Sequence, residues 1–288
     1  MDSQRLREQG QVLSPARAAE RISIGRVDAP QGLAWCLDYL WWVRWDTPQT
    51  YTQNLLSRPV VHLSAEERHG ECRIWVTGIT TNLFARQLRG VGRTVGAAFR
   101  PGGMRPFTSW YVADLTDQVI PAQEVIGLDD RETAMRLVHD SLSEDEAARL
   151  LAEWLASRAP IIDPRVDEVA ALVERVERDQ SIVSARHLAE LAGVSQRTLQ
   201  RRFHTYVGVG PKWVIQRHRL LDVAAAANAG GEVDWPELAA RLGYSDQSHL
   251  IRHFHAAVGE SPARYSQAST SDAGRSRRRS DGSIVPIT

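Results

Sequence analysis

Arg197, Gln200 and Arg201 lie close together on a stretch whose apolar residues, Leu199 and Phe203, fall four apart. On a helix that spacing puts Leu and Phe on one face and leaves the polar side chains opposite or beside it. Fifty-one residues later the arrangement returns, with Gln247, Ser248, Ile251 and Arg252 around Leu250 and Phe254. The chemistry available to these sets is the reading of base edges. A guanidinium pairs with guanine O6 and N7, a glutamine amide with adenine N6 and N7, and an aliphatic tip meets a thymine methyl. These seven residues are therefore the candidate base contacts. Arg202, His204, Lys212, Arg217 and His255 lie nearby and offer donors for phosphate oxygens, contacts that hold register without reading sequence.

Such side chains need elements to hold them, and the sequence spells those elements twice. "LQRRFHTYVGVGP" (199–211) and "LIRHFHAAVGESP" (250–262) share Leu, Arg, Phe, His, Val, Gly and Pro at matching offsets. Upstream, "HLAELAGVSQRTLQRRF" aligns with "ELAARLGYSDQSHLIRHF". Each copy reads as a short apolar helix, a glycine turn (Gly193, Gly243), a capping residue (Ser195, Asp246) and a second helix. Glycine tolerates the positive φ of a sharp helix end, and the Ser or Asp oxygen accepts from the free N–H groups of the next helix. This is the helix-turn-helix pattern. Between the copies, "PKWVIQRHRLLDVAAAANAG" predicts one helix from 211 to about 229, roughly 28 Å long at 1.5 Å per residue. Successive major-groove segments on one face of DNA are about 34 Å apart. One strut can therefore hold two reading helices on one duplex. A packing repeat of a solenoid is the competing reading. Two copies are fewer than such stacks need, and the outward Arg and Gln residues would have no role in one.

At these residues the chain resembles the AraC/XylS-type transcription regulators. "GYSDQSHLIRHFHAAVGESPARY" carries that family's closing signature, and the resemblance extends over about residues 165 to 266. It implies a C-terminal all-α domain of two helix-turn-helix units joined by a long helix. It also implies double-stranded DNA and RNA polymerase as partners, with the seven residues named above facing the groove. Ile251 departs from the polar residue the family often has at its position.

Bulk numbers fit without deciding the matter. The 288 residues carry 35 basic and 35 acidic side chains, and Lys212 is the sole lysine. Over residues 181–266 there are ten Lys/Arg against seven Asp/Glu, a mild positive excess that falls mainly on the reading helices. Two cysteines are too few for a disulfide framework or structural zinc. No run reaches the ~18 apolar residues of a membrane span, and the first twenty residues lack the apolar core of a secretory leader. A cytoplasmic protein with no membrane partner is expected.

The first half reads differently. "WCLDYLWWVRWD", "RPVVHLS", "CRIWVTG" and "RTVGAAFR" suggest several short strands in a barrel- or sandwich-like domain, making the whole chain α+β. "SEDEAARLLAEWLASR" then predicts a capped helix whose stripe Ala147, Leu150, Leu151, Trp154 and Leu155 suits either a dimer seam or packing within the domain. A further helix is expected over 165–179. The domain reading is a flexible segment 1–21, a regulatory or dimerisation domain 22–160, a DNA-binding domain 161–266 and a disordered tail 267–288. Arginines 275 and 277–279 of that tail would add phosphate attraction or simply be solvated.

The glycines of "GVGRTVGAAFRPGGMRPF" miss the dinucleotide fingerprint by one and are read as turns between strands. "FRPGGMRPF" looks like part of an N-terminal domain found in some of these regulators. His62, His69 and His139 show no metal-ligand spacing, so neither a metal nor a cofactor is expected. Cys36 and Cys72 read as small buried hydrophobes. Alkyl-transfer relatives of the family use a cluster of four cysteines, which is missing here. A non-enzyme is expected, with an enzymatic N-terminal half as the alternative. Trp35, Trp41, Trp42, Trp45, Trp75 and Trp110 either line an apolar effector pocket or fill the core. The N-terminal half is thus expected to sense a small molecule, to form a homodimer, or both.

Overall fold

A computed structural model describes residue 13 and residues 18–68, 70–229 and 232–267. The readings made for most of segment 1–21, for His69, for the Gly-Gly at 230–231 and for the tail beyond 267 lie outside the described residues.

The N-terminal half holds one antiparallel sheet of six strands: β1 (Ile22–Asp28), β2 (Leu37–Leu55), β3 (His62–Arg68), β4 (Glu71–Thr77), β5 (Phe84–Phe99) and β6 (Val119–Pro121). Their order is β1-β2-β5-β3-β4-β6. The α+β class is as expected, but the strands are not all short: β2 has 19 residues and β5 has 16. Register shifts between Leu37 and Tyr39 and between Thr47 and Tyr51 let this long ribbon bend. Alternate residues of β1, β2, β3 and β5 line a single cavity of about 230 Å3, so the sheet is curled about it.

The reading of the glycines as turns holds at Gly102 and Gly103, which lie in the turn at 101–104, and needs correcting at Gly92 and Gly96. Gly92 and Gly96 do not turn the chain but sit within β5, directly across from Trp45 and Trp41. Gly25 of β1 faces Trp42 in the same way. At each of these three glycines a Cβ would overlap the opposing indole ring. The pattern G-x-x-x-G in β5 is thus the complement of W-x-x-x-W in β2, a cross-strand fit rather than a turn signal.

Three helices follow the sheet: α1 (Ala122–Ile126), α2 (Arg131–His139) and α3 (Glu144–Ala156). α3 starts where the sequence predicts. Ser143 Oγ accepts from Glu146 N, and the Ser143 N–H donates to the Glu146 carboxylate at 2.8 Å, a reciprocal cap. Its stripe, however, is no dimer seam. Ala147, Leu151, Trp154 and Leu155 are buried within the same core as the sheet, and Trp154 Nε1 donates to Asp129 O at 2.8 Å.

The remaining helices are α4 (Arg165–Arg178), α5 (Ala185–Leu191), α6 (Gln196–Arg202), α7 (Pro211–Asn228), α8 (Trp235–Arg241) and α9 (Gln247–Val258). Two main hydrophobic clusters organise the chain. One runs from the sheet through α3 and α4 into α5, α6 and the start of α7. The other joins the second half of α7 to α8 and α9 and receives Leu56 from the sheet domain. No described helix is long and apolar enough to cross a membrane.

Candidate nucleic-acid interface

The two helix-turn-helix units are built from matching local devices. Gly193 and Gly243 end α5 and α8 with φ of +63° and +68°, a region where glycine is favoured. The Ser195 hydroxyl accepts from Thr198 N at 3.1 Å to start α6, and Asp246 accepts from His249 N at 2.7 Å to start α9. Those hydrogen bonds hold the Asp246 carboxyl below its ordinary pKa: the His249 amide contributes most, the Ser245 hydroxyl next. Leu199 and Phe203, like Leu250 and Phe254, are fully buried. α7 joins the units with 18 residues, about 27 Å at 1.5 Å per residue, starting at Pro211 where a missing N–H costs nothing.

With the Leu/Phe faces buried, the opposite faces are free. Arg197, Gln200 and Arg201 are exposed on α6, and Ser248 and Arg252 on α9, with Gln247 partly so. Ile251 is a correction: it is half-buried and packs against the second hydrophobic cluster, which leaves little of it to meet a base. His249 and His253 close around Tyr244. The His253 ring nitrogen lies 2.9 Å from the Tyr244 hydroxyl, and the His249 ring meets Tyr244 edge-on.

The phosphate candidates divide. Lys212 and His255 are exposed. His204 is exposed but packs edge-to-face on Tyr111, with ring centroids 5.2 Å apart. Arg202 lies 3.4 Å from Glu168 of α4, which offsets part of its charge. Arg217 is a second correction. It is 3% exposed, donates to Thr81 O at 2.5 Å and stacks on Trp213, so in this arrangement it faces the sheet domain rather than solvent. Burial pushes its guanidinium down to about 10. Its position on the one helix shared by both units hid this, because the Thr80–Thr81 loop that captures it is more than 130 residues away.

Arg217 is one of several ties that sequence reasoning missed. Tyr206 Oη donates to Asp163 at 2.7 Å, and Thr116 Oγ1 donates to Gly208 O at 2.9 Å. Arg100 pairs with Asp167, and Arg58 with Glu177 of α4. A five-residue π-turn, Phe203–Val207, extends α6 and places Tyr206 there. The signal that could have found it is a mismatch inside the repeat: Tyr206 in the first copy corresponds to Ala257 in the second. The tryptophan question resolves by position. Trp41 and Trp45 line the cavity, while Trp35, Trp42, Trp75 and Trp110 pack in or against the core. Burial pushes the Cys36 thiol up to about 12, and it also raises that of Cys72.

Residues 188–268 match the family described as "Helix-turn-helix domain", and residues 26–121 match a "Domain of unknown function (DUF6597)". Among solved structures, the C-terminal domain of AraT, a response regulator from Geobacillus stearothermophilus, is 24% identical over 36% of this chain and 85% of that one, with a TM-score of 0.33. ToxT from Vibrio cholerae O395 is 12% identical over 87% of this chain and 99% of that one, with a TM-score of 0.39. The same protein bound to (E)-4-(8-methylnaphthalen-1-yl)but-3-enoic acid is 10% identical over 86% and 99%, with a TM-score of 0.40. No curated protein matches the chain. The C-terminal region is a DNA-binding helix-turn-helix domain. In the structure this domain is a double helix-turn-helix, and it is joined to a sheet domain that matches the family of unknown function.

Proposed function

We propose that the protein regulates transcription by laying α6 and α9 into two adjacent major-groove segments of one asymmetric site. One observation carries this reading: two capped helices, each with its Leu/Phe face buried, present Arg197, Gln200 and Arg201 and Gln247, Ser248 and Arg252 from the two ends of one 18-residue strut. In this reading Arg202, His204, Lys212 and His255 hold phosphates, and Ile251 gives at most an apolar contact. The sheet domain is the regulatory half. It senses a small molecule and changes how firmly it grips α4 and α7, and so how freely the reading heads settle on DNA. Self-association and contact with RNA polymerase complete the proposal.

Selection of bound duplexes from a random pool with the full chain tests it. The expected product is a two-part motif whose halves are about one helical turn apart. Arg201→Ala should relax one half and Arg252→Ala the other. A single short motif, equally affected by both variants, would overturn the two-groove reading.

A further inference from the structure

The cavity inside the curled sheet has a composition that the packing of the domain does not explain. Its wall is largely apolar, with Ile24, Val43, Trp45, Leu55, Phe84 and Leu88 among the lining residues. Three residues that share this wall each carry a buried polar atom without a hydrogen-bond partner: the Trp41 indole Nε1, the Arg58 guanidinium Nε and the His62 imidazole Nδ1. Buried polar groups are nearly always satisfied; the Trp41 and Arg58 N–H groups can only donate, so this wall has an unmet demand for a ligand atom that accepts hydrogen bonds, while His62 Nδ1 serves as donor or acceptor according to its tautomer. The Trp41 ring lies against Gly96 and meets His62 edge-on at 6.1 Å, which fixes both groups side by side. Among the lining residues the guanidinium groups are Arg26, Arg58, Arg68 and Arg86, against the single carboxylate of Glu66. Glu66 is itself held by both Arg68 and Arg86.

Arg58 also connects this cavity to the DNA-binding half. Its Nη1 donates to Asp38 of β2 at 3.2 Å and its Nη2 to Glu177 of α4 at 3.2 Å, leaving Nε on the remaining side. A second part of the wall, the segment Thr77, Gly78 and Thr80, leads into the carbonyls that hold Arg217 of α7.

We infer that this cavity binds a small organic carboxylate with a compact apolar body, and that Arg58 reports its presence to α4. The carboxylate takes Trp41 Nε1–H and Arg58 Nε–H, with His62 beside it, while the apolar body fills the space against Trp45 and Phe84. At about 230 Å3 the space equals the liquid volume of roughly eight waters, enough for a single-ring or short branched acid. The ligand anion and Glu177 then share one guanidinium, so occupancy weakens the hold on α4. This rests on the sheet domain being the sensing half, as proposed above.

The experiment uses the full chain, its selected duplex, and three acids with their neutral amides: benzoate, cyclohexanecarboxylate and hexanoate against benzamide, cyclohexanecarboxamide and hexanamide. Calorimetry and indole fluorescence read binding; duplex affinity with and without acid reads coupling. At least one acid should bind and its amide should bind far more weakly. Trp41→Phe keeps the ring on Gly96 but removes the N–H. It should weaken the acid roughly ten- to hundred-fold, the loss expected for a hydrogen bond to a charged group. Glu177→Gln lies outside the cavity. By reciprocity of the coupling it should leave acid binding as tight or tighter while abolishing the effect of acid on DNA affinity. If no acid binds, or amides bind as well as acids, the ligand assignment falls. If Glu177→Gln retains the full effect of acid, the Arg58 relay falls although the ligand stands. Sequence-specific binding of the duplex without acid tests the regulator reading separately, so its failure is distinguishable from both.

Discussion

The two helix-turn-helix units share their turns, caps and buried Leu/Phe pairs, yet they sit differently in the molecule. The first is continuous with the sheet domain: Leu188, Leu199, Phe203, Tyr206, Val207 and Val214 belong to the same hydrophobic cluster as the strands. The second builds its own cluster with α7, and the sheet domain enters it through little more than Leu13, Leu56 and Leu83. The divergence is written at a few repeat positions. Tyr206 against Ala257 is one, and another is Val207, fully buried, against Val258, partly buried. Two copies with matching local architecture have thus become one unit anchored to the sheet domain and one carried at the far end of a strut. A change in the sheet domain would reach the first unit directly and the second mainly through α7 and the few contacts of Leu13, Leu56 and Leu83.

Truncating the equivalent phenylalanines is the strongest way to break this comparison. Phe203→Ala and Phe254→Ala should each cost about 3–5 kcal/mol, as large core truncations do. The reach of the damage should differ. Phe203→Ala is expected to raise hydrogen exchange in both α6 and the Val112–Leu115 turn packed against its π-turn, whereas Phe254→Ala should raise it in α8 and α9 and spare the strands. Equal spreading of exchange in the two variants would show that the two clusters unfold as one.

Acid should pull the regions apart next. His62 lies in the sheet domain facing the Arg58 and Arg26 guanidinium groups and the Trp41 edge. Its pKa is lowered to about 4, chiefly by burial and secondarily by those two cations. The folded state therefore binds this proton less readily than the unfolded chain does. The associated stability is complete above about pH 6.5 and falls as pH drops towards 4, by up to roughly 3 kcal/mol. Urea midpoints between pH 7.5 and 4.5 should show the loss, and His62→Phe should flatten it. His253 in the second cluster is also shifted down, by burial first and then by His249, Arg217 and Arg219, so some acid sensitivity should survive in that variant.

Much of the DNA-binding half was legible in the sequence because its determinants are local. A glycine, a cap and an i,i+4 apolar pair lie within a dozen residues of one another, and repetition doubled the signal. The seven base-contact candidates followed from those elements; five are exposed, and Gln247 and Ile251 are partly so. What was not legible depends on residues far apart in the chain. Nothing near Arg217 points to Thr81, and nothing near Arg58 points to Glu177, 119 positions away. Gly92 and Gly96 of β5 were misread for the same reason, since each has meaning only beside the tryptophan across the ribbon.

A smaller effect sharpens the comparison on DNA itself. Arg201→Ala and Arg252→Ala should each cost about 1–3 kcal/mol on the selected site and relax preference in one half only. Arg202→Ala should weaken all duplexes alike and lower the salt dependence by about one ion. Its effect should be modest, because Glu168 already offsets part of the charge. Titrations on the selected and a scrambled duplex at several salt concentrations separate these outcomes. Identical behaviour of Arg201→Ala and Arg202→Ala would undo the division into reading and positioning contacts.

The smallest expected effect concerns the caps, where the copies differ in one chemical respect: Ser195 does not titrate and Asp246 does. Ser195→Ala should cost the first unit about 1 kcal/mol at any pH. The Asp246 carboxyl is held below its ordinary range by the His249 amide and then the Ser245 hydroxyl, so its stabilisation of α9 is present above the unfolded value near 4 and is lost as pH falls through the lowered one. Acid should therefore fray the start of α9 before that of α6. Exchange rates of the His249 and Thr198 amides, each the proton its cap receives, read this directly. Asp246→Asn keeps an acceptor at the cap but cannot take up a proton there. It should remove the pH dependence at His249 that belongs to the cap and leave any contribution from the neighbouring histidines. If the two amides lose protection together in the parent chain, the difference between the caps has no consequence for the units they begin.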